Sequence, residues 1–302
     1  MRADIAALYY LLRLLGLLPL RWLHAAGAAL GAWLARGQGR MARYTAVNLK
    51  LVCPELEDAR RQPLRREVLQ HAGRSLVEMA AVWGRSPKRA LKLVREVRGE
   101  ALFEQALAAG RGVIVAAPHL GCWELLNHWL CNRTDMAILY APPRKPAFEP
   151  LLRRARGVLG PKQIRAEGAG VRALYRHLAD GGTVGILPDQ EPRQGEGRFA
   201  PFYGVDALTM VLLPRLAART GAVVLFAFAE RLPRGAGFRL HFLPAPEGID
   251  ATDLDRGCAA LNRGVENCAN LAFTQYQWHY KRYRLRPQGG NNPYRRANTP
   301  RA

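Results

Sequence analysis

Apolar positions crowd the amino end of the chain. Between Ile5 and Ala35 only Arg13, Arg21 and His24 interrupt an otherwise apolar run that holds Leu11, Leu12, Leu14, Leu15, Leu17, Leu18 and Leu20. Pro19 divides this run and predicts two short helices. The longest stretch free of arginine, Trp22 to Ala35, is 14 residues, short of the roughly 20 that carry a helix across a bilayer. Arginines near an interface can snorkel, so the pattern predicts an interfacial or partly inserted amphipathic anchor over 1–35. Two core helices packed on the rest of the chain are the alternative. A cleaved signal peptide fits poorly, because the basic start is only Arg2, Asp4 follows at once and arginines break the apolar region.

Beyond residue 36 the pattern changes to one face per element. Leu69, Ala72, Leu76, Met79 and Trp83 recur at helical spacing within a strongly basic stretch. Val113 to Ala117 is a short buried-strand signal stopped by Pro118, and a helix follows through Leu130. Further strands are predicted at Ala137 to Tyr140, Thr183 to Leu187 and Val223 to Phe228, and helices at Phe148 to Leu159 and Gly168 to Ala179. The alternation is that of an α/β core, with no internal repeat and no secure linker. The division is therefore 1–35 as anchor or interfacial helix, 36–286 as the main α/β domain with a helical preface, and 287–302 as a basic tail. Tyr276, Trp278, Tyr280 and Tyr283 beside the terminal cations suit either a flexible tail or docking at a lipid interface.

Composition narrows the partners. The 302 residues are 49% hydrophobic, enough for a real core, and 45 basic against 24 acidic side chains leave a net charge of +21. A basic field of that size attracts anions such as nucleic acid, anionic lipid or an acidic carrier protein. No zinc-finger spacing or RNA-binding aromatic signature is present, so nucleic acid is not expected. The five cysteines form no CxxC pair, which points to a reduced compartment and away from structural zinc.

The sharpest chemical constellation is His119 with Glu124, at the exit of the Val113 to Ala117 strand. A neutral imidazole can take a proton from a hydroxyl, and a carboxylate can orient the ring and stabilise its protonated form. Spacing alone also fits a structural histidine and a solvated glutamate. His128, on the same local helix, is a further candidate base. HExxH spacing is absent, so no metal site is expected.

The wider sequence resembles the bacterial lipid A late acyltransferases, the lauroyl/myristoyl type that use acyl carrier protein thioesters. The resemblance runs through most of residues 1–286. It rests on the apolar amino end, Ala117-Pro118-His119-Leu120-Gly121-Cys122-Trp123-Glu124, Gly185-Ile186-Leu187-Pro188-Asp189-Gln190, Phe199-Ala200-Pro201-Phe202-Tyr203-Gly204 and Gln275 through Arg282. It implies a glycerolipid acyltransferase-like α/β core with a mixed β-sheet flanked by helices, and a membrane-associated amino-terminal helical segment. It also implies that His119 and Glu124 are the HX4E catalytic pair, where the broader fold usually carries Asp at the second position. Thr274 stands where the family commonly has Pro.

On this resemblance His119 deprotonates a hydroxyl on an acyl chain of a phosphorylated lipid A precursor, and the oxygen attacks an acyl-carrier-protein thioester. No cofactor and no metal take part. Cys122 is a packing residue rather than a nucleophile. The substrate contacts implied are Arg144, Arg154 and Asp189, arginine because its fork grips phosphate oxygens. Solvated helical charge is the alternative for Arg153, Arg154 and Arg156, and an Asx turn is the alternative for Asp189. The aromatic patch Phe199 to Tyr203 suits either an acyl groove or core packing. The expected partners are the acidic acyl carrier protein, the phosphorylated precursor and the anionic inner-membrane surface. The expected location is the bacterial inner membrane with the catalytic domain on the cytoplasmic side. Two other functions fit the same sequence: a glycerophospholipid or glycolipid O-acyltransferase using acyl carrier protein or acyl-CoA, and a noncatalytic basic membrane-binding protein.

Overall fold

A computed structural model describes residues 3–140, 143, 146–165, 168–193 and 195–295. Four helices lead the chain: α1 (Ala3–Leu15), α2 (Leu20–Arg36), α3 (Arg40–Val52) and α4 (Asp58–Trp83). Then follow α5 (Pro87–Leu91), β1 (Val94–Arg98), α6 (Glu100–Ala108), β2 (Val113–Ala116), α7 (Trp123–Cys131) and β3 (Met136–Tyr140). The middle holds α8 (Glu149–Gly157), β4 (Lys162–Arg165), α9 (Gly168–Ala179) and β5 (Thr183–Ile186). The last part is β6 (Gly197–Phe202), β7 (Val205–Met210), α10 (Leu212–Thr220), β8 (Val223–Arg231), β9 (Phe238–Pro244) and α11 (Leu254–Leu271).

Seven strands form one mixed sheet in the order β1-β9-β8-β2-β5-β3-β4, in which β8 and β9 are antiparallel and every other pair is parallel. β6 and β7 form a separate antiparallel hairpin. Side chains along a strand alternate between faces, and the core divides accordingly. Ile114, Ala116, Val224, Phe226 and Phe228 enter one hydrophobic cluster with α9, α10 and α11. Val113, Val115, Leu225, Ala227 and Ala229 enter the other with α6 and α7. The expected α/β architecture, a mixed sheet flanked by helices, is what the chain adopts.

The apolar amino end packs as two short helices against α4, the alternative that its sequence left open. Gly27 and Gly31 of α2 lie on the backbone of α4 at Gly73, Arg74 and Leu69, and Gly84 lies on Leu12 of α1, so a methyl group at any of these glycines would strike backbone. Small residues thus let two helices approach closely. Leu20, Leu23 and Ile5 are buried, while Tyr10, Leu11, Leu14, Leu17, Trp22 and Trp33 remain exposed. Among the described residues no helix is long and apolar enough to cross a membrane. This overturns the membrane-embedded inner-membrane placement expected from the sequence: the leucine-rich run is split at Pro19 into two helices, neither of them long and apolar enough to cross a bilayer.

Three of the four carboxyl-terminal aromatics are core residues, and Tyr280 is half-buried with its hydroxyl accepting the Glu191 backbone N–H at 3.1 Å. Trp278 and Tyr283 are essentially inaccessible and Tyr276 is buried, so they are not a lipid-docking face. Tyr294 is also buried: its hydroxyl bonds to Asn48 Oδ1 and accepts the Tyr283 backbone N–H at 3.2 Å. Residues 296–302 lie outside the described residues.

Candidate active site

The site forms beyond the carboxyl ends of two adjacent parallel strands, the usual place for a ligand crevice in an α/β sheet. β2 and β5 pair Ala116 with Ile186. Each chain then continues three residues, through a proline, to His119 and Asp189. Equal offsets from paired positions bring together two residues 70 apart in sequence. The loop is stitched to its surroundings: Ala117 N–H donates to Ile186 O at 2.8 Å, Cys122 N–H to Ala229 O at 2.9 Å and Gln277 N–H to His119 O at 3.1 Å. Gly121 has φ +61° and faces the Ala229 carbonyl so closely that no side chain fits.

Asp189, not Glu124, orients the imidazole. Its Oδ1 lies 2.7 Å from His119 Nδ1, and its Oδ2 accepts the His119 backbone N–H at 2.9 Å. With Nδ1 donating to a carboxylate, Nε2 is the nitrogen that keeps a lone pair, and it faces Gln190 Nε2 at 3.2 Å. Burial by itself would raise the Asp189 carboxyl, but the charge and hydrogen bonds of His119 bring it below its ordinary value. Trp123 sets its ring edgewise to the imidazole, centroids 5.1 Å apart.

Glu124 sits in the first turn of α7 and serves a different partner. Its oxygens lie 3.1 and 3.2 Å from Arg156 Nε, and Trp83 Nε1–H donates to Oε2 at 3.2 Å. Burial opposes ionisation here, yet the Arg156 charge and hydrogen bonds, helped by Trp83, hold the carboxyl below its ordinary range. The predicted pair is therefore two pairs, His119 with Asp189 and Glu124 with Arg156. The spacing of five residues across a turn sends the two side chains to different neighbours.

Among the other candidates, Arg154 is exposed and stacks its guanidinium 4.4 Å from the Tyr9 ring, so it does not reach the site; its neighbour Arg156 does. Arg144 lies outside the described residues. His128 bonds the Glu124 carbonyl of its own helix at 2.9 Å and is buried there. Burial pushes the Cys122 thiol well above its ordinary value, which suits packing rather than nucleophilic attack. Within the aromatic patch Phe202 is fully buried against Trp278 and Tyr283, Tyr203 is half-buried and Phe199 is exposed, so of its aromatics only Phe202 is a core residue. Among the described residues no group of three or more His, Cys, Asp or Glu side chains could hold a metal ion.

Two cavities meet at His119. One, of about 470 Å³, is walled by Leu30 and Leu34 of α2, Met41 of α3, and Ala72, Leu76 and Met79 of α4. The helical face that the sequence marks as apolar is thus largely a cavity wall. The other, of about 670 Å³, carries Arg193, Arg215 and Arg219 with Tyr140 and Tyr175. His119, Arg156 and Gln190 line both. Backbone N–H groups from 119 to 122 are all engaged, by Asp189, Pro118, Gln275 and Ala229 respectively. An oxyanion at the junction would thus rely on side-chain donors: Arg156 lines both cavities, whereas the Gln190 amide nitrogen already donates to Gln277 Oε1 at 3.0 Å and faces His119 Nε2.

The amino-acid sequence that builds this geometry, an oriented histidine between an apolar and an arginine-lined cavity, is similar to proteins already known. The profile of the family described as bacterial lipid A biosynthesis acyltransferase matches residues 4–285. The chain belongs to this family. It is 26% identical to the lipid A biosynthesis lauroyltransferase of Escherichia coli K12 over 92% of its own length and 90% of that protein. It is 27% identical to the palmitoleoyltransferase of the same organism, over 89% and 87%. It is also 29% identical to the phosphatidylinositol mannoside acyltransferase of Mycobacterium tuberculosis, over 67% and 62%. These relatives differ in acyl group and one differs in acceptor, at similar identities. Family membership thus stands without the lauroyl/myristoyl subtype that the resemblance suggested.

Proposed function

We propose that the protein transfers a fatty acyl group from an acyl-carrier-protein thioester to a hydroxyl on an acyl chain of a lipid A precursor. The observation that carries this reading is His119, fixed by Asp189 through Nδ1, with Nε2 directed to the junction of an apolar and an arginine-lined cavity. Hydrocarbon fits the first cavity. The second suits the phosphorylated and anionic parts of donor or acceptor.

In this mechanism Nε2 takes the proton of the acceptor hydroxyl as its oxygen attacks the thioester carbonyl carbon. A C–O bond forms, and the carbonyl oxygen gains the negative charge that Arg156 is placed to stabilise. The carbonyl then reforms, the C–S bond breaks, and the imidazolium returns its proton to the departing sulfur. Asp189 supports the imidazolium throughout. Glu124 acts through Arg156, which it holds at the mouth of both cavities, and is in that sense a positioning residue. Neither an acyl-enzyme nor Cys122 is needed.

The test is mass-spectrometric transfer by the purified protein from a panel of acyl-carrier-protein and acyl-CoA thioesters. Acceptors should include lipid A precursors, glycerophospholipids and mannosylated phosphatidylinositol. A single acyl mass added to a lipid A precursor supports the reading. Gain only on another acceptor, as the mycobacterial relative's name suggests for that protein, would replace it with a different glycolipid or glycerophospholipid acyltransfer. No transfer at all would favour a noncatalytic binding protein.

A further inference from the structure

A separate polar cavity of about 640 Å³ opens where the start of α2, the middle of α4 and the β8–β9 turn meet. Arg21, Arg74 and Arg234, one from each of these elements, line it, with Arg231 and His71. It contains none of the residues assigned to acyl transfer. Among the described residues none of Arg21, Arg74 and Arg234 has a carboxylate within ion-pair distance. Of the acidic residues on its wall, Glu230 is paired elsewhere and Glu67 is bonded at one oxygen. Glu230 Oε2 lies 2.8 Å from His241 Nε2 and 3.2 Å from Arg239 Nη1, and Glu67 accepts the Thr274 hydroxyl at 3.1 Å, with His71 Nε2 3.8 Å away.

The back of the cavity is rigid. Arg231 is buried on Glu78, which takes its Nε and, at 2.6 Å, its Nη2; Ser75 Oγ accepts from Nη2 at 2.9 Å. Arg231 Nη1 meets His71 Nδ1 at 2.9 Å, which places the His71 proton on Nε2. Burial, followed by the charges of Arg231 and Arg74, lowers His71 to about 3, so it is a neutral hydrogen-bond donor. Arg74 Nη1 sits 3.3 and 3.4 Å from the two ring nitrogens.

The turn at the front is strained and held in that state. Arg234 adopts φ +56°, a left-handed conformation rare outside glycine. Its neighbours enforce it: Ala236 N–H donates to Pro233 O at 3.1 Å, Leu232 N–H to Gly237 O at 2.9 Å and Arg95 Nε–H to Ala236 O at 2.8 Å. Gly235 lies directly on the backbone of Arg21. Strain of this kind persists where the surroundings over-determine it, and it clusters at ligand clamps. Here it sets a cation beside α2.

We propose that this cavity is a second ligand site, separate from the acyl-transfer site, that binds a phosphate monoester through Arg21, Arg74 and Arg234 with the His71 Nε2–H as a neutral donor. Three guanidinium groups and one N–H match the several oxygens of a phosphate dianion better than the two of a carboxylate. The cavity is far larger than the ion, so the phosphate arrives on a larger polar body, either a soluble sugar phosphate or a lipid head group.

The test uses the full chain, with Arg234→Gly and Arg74→Ala. Arg234→Gly removes a cation and the backbone strain together, so its melting temperature should hold or rise while binding falls. Titration calorimetry with inorganic phosphate and glucosamine 1-phosphate probes the soluble source. Co-sedimentation with phosphatidylcholine vesicles doped with phosphatidic acid or, at equal charge, phosphatidylglycerol probes the lipid source. Either binding of the soluble phosphates, or a preference for phosphatidic acid over the diester, supports the site if each variant weakens it about tenfold or more. Binding that both variants leave unchanged, or no monoester preference in either arm, overturns it.

Discussion

Asp189 grips His119 at two points, the imidazole Nδ1 at 2.7 Å and the backbone N–H at 2.9 Å. One carboxylate therefore sets both the ring's tautomer and the position of the loop that carries it. Asp189→Asn keeps the shape but loses the charge that supports the imidazolium. The expected result is a fall in kcat of about 10²–10⁴-fold with little change in KM and an unchanged melting temperature. Turnover near wild type would remove Asp189 from the mechanism.

Glu124 offers a pH test. Burial pushes its carboxyl up, but Arg156 outweighs burial and the folded-state value is depressed. A depressed carboxylate contributes stability that is present above the unfolded value of about 4.3 and is lost as pH falls through the folded value. Wild type should thus lose its advantage over Glu124→Gln as pH drops from about 6 to about 3. Parallel thermal melts of the two proteins follow this directly, and a gap independent of pH contradicts the ion pair.

Arg231 and Glu78 are both almost wholly buried and paired. Removing one partner leaves a buried charge, so Arg231→Met should cost about 3–5 kcal/mol in chemical denaturation. The double variant Arg231→Met with Glu78→Leu should recover part of that loss. A double variant as unstable as the sum of its singles would show that the two side chains do not interact.

The apolar cavity is bounded on one side by α4. Ala72 is half-buried and lines it with Leu76 and Met79. Ala72→Trp should move donor preference toward shorter acyl chains while preserving the shortest accepted donor. Competition among thioesters of graded length, read by mass spectrometry, reports the shift; uniform loss across all lengths would indicate collapse of the site instead.

Much of this arrangement is legible in the residues, and the gaps have physical causes. Val113 to Ala117, Ala137 to Tyr140 and Thr183 to Leu187 are central strands buried on both faces, and continuous apolar runs mark them. β1 (Val-Arg-Glu-Val-Arg) and β4 (Lys-Gln-Ile-Arg) are the two edges of the sheet, where charge is tolerated and no run appears. His119 and Asp189 are each individually visible as residues after Ala-Pro and Leu-Pro at strand exits. Their pairing depends on the β2–β5 register, which local sequence does not carry. The matching apolar-run-then-proline pattern was the available signal. Arg156 looks like one more charge in a basic helix, and only the packing of α8 beside α7 gives it a carboxylate. The apolar amino end reads as lipid-facing by composition, whereas its glycines at 27 and 31 are the positions that record helix packing.

The central claim is that His119 Nε2 is the base for acyl transfer. Wild type, His119→Ala and Cys122→Ser should be compared under single-turnover conditions with a lipid A precursor and an acyl-carrier-protein thioester, following the acylated product by mass spectrometry. The expected result is product from wild type and Cys122→Ser and none above background from a folded His119→Ala. Product formation by His119→Ala at close to the wild-type rate would contradict the mechanism.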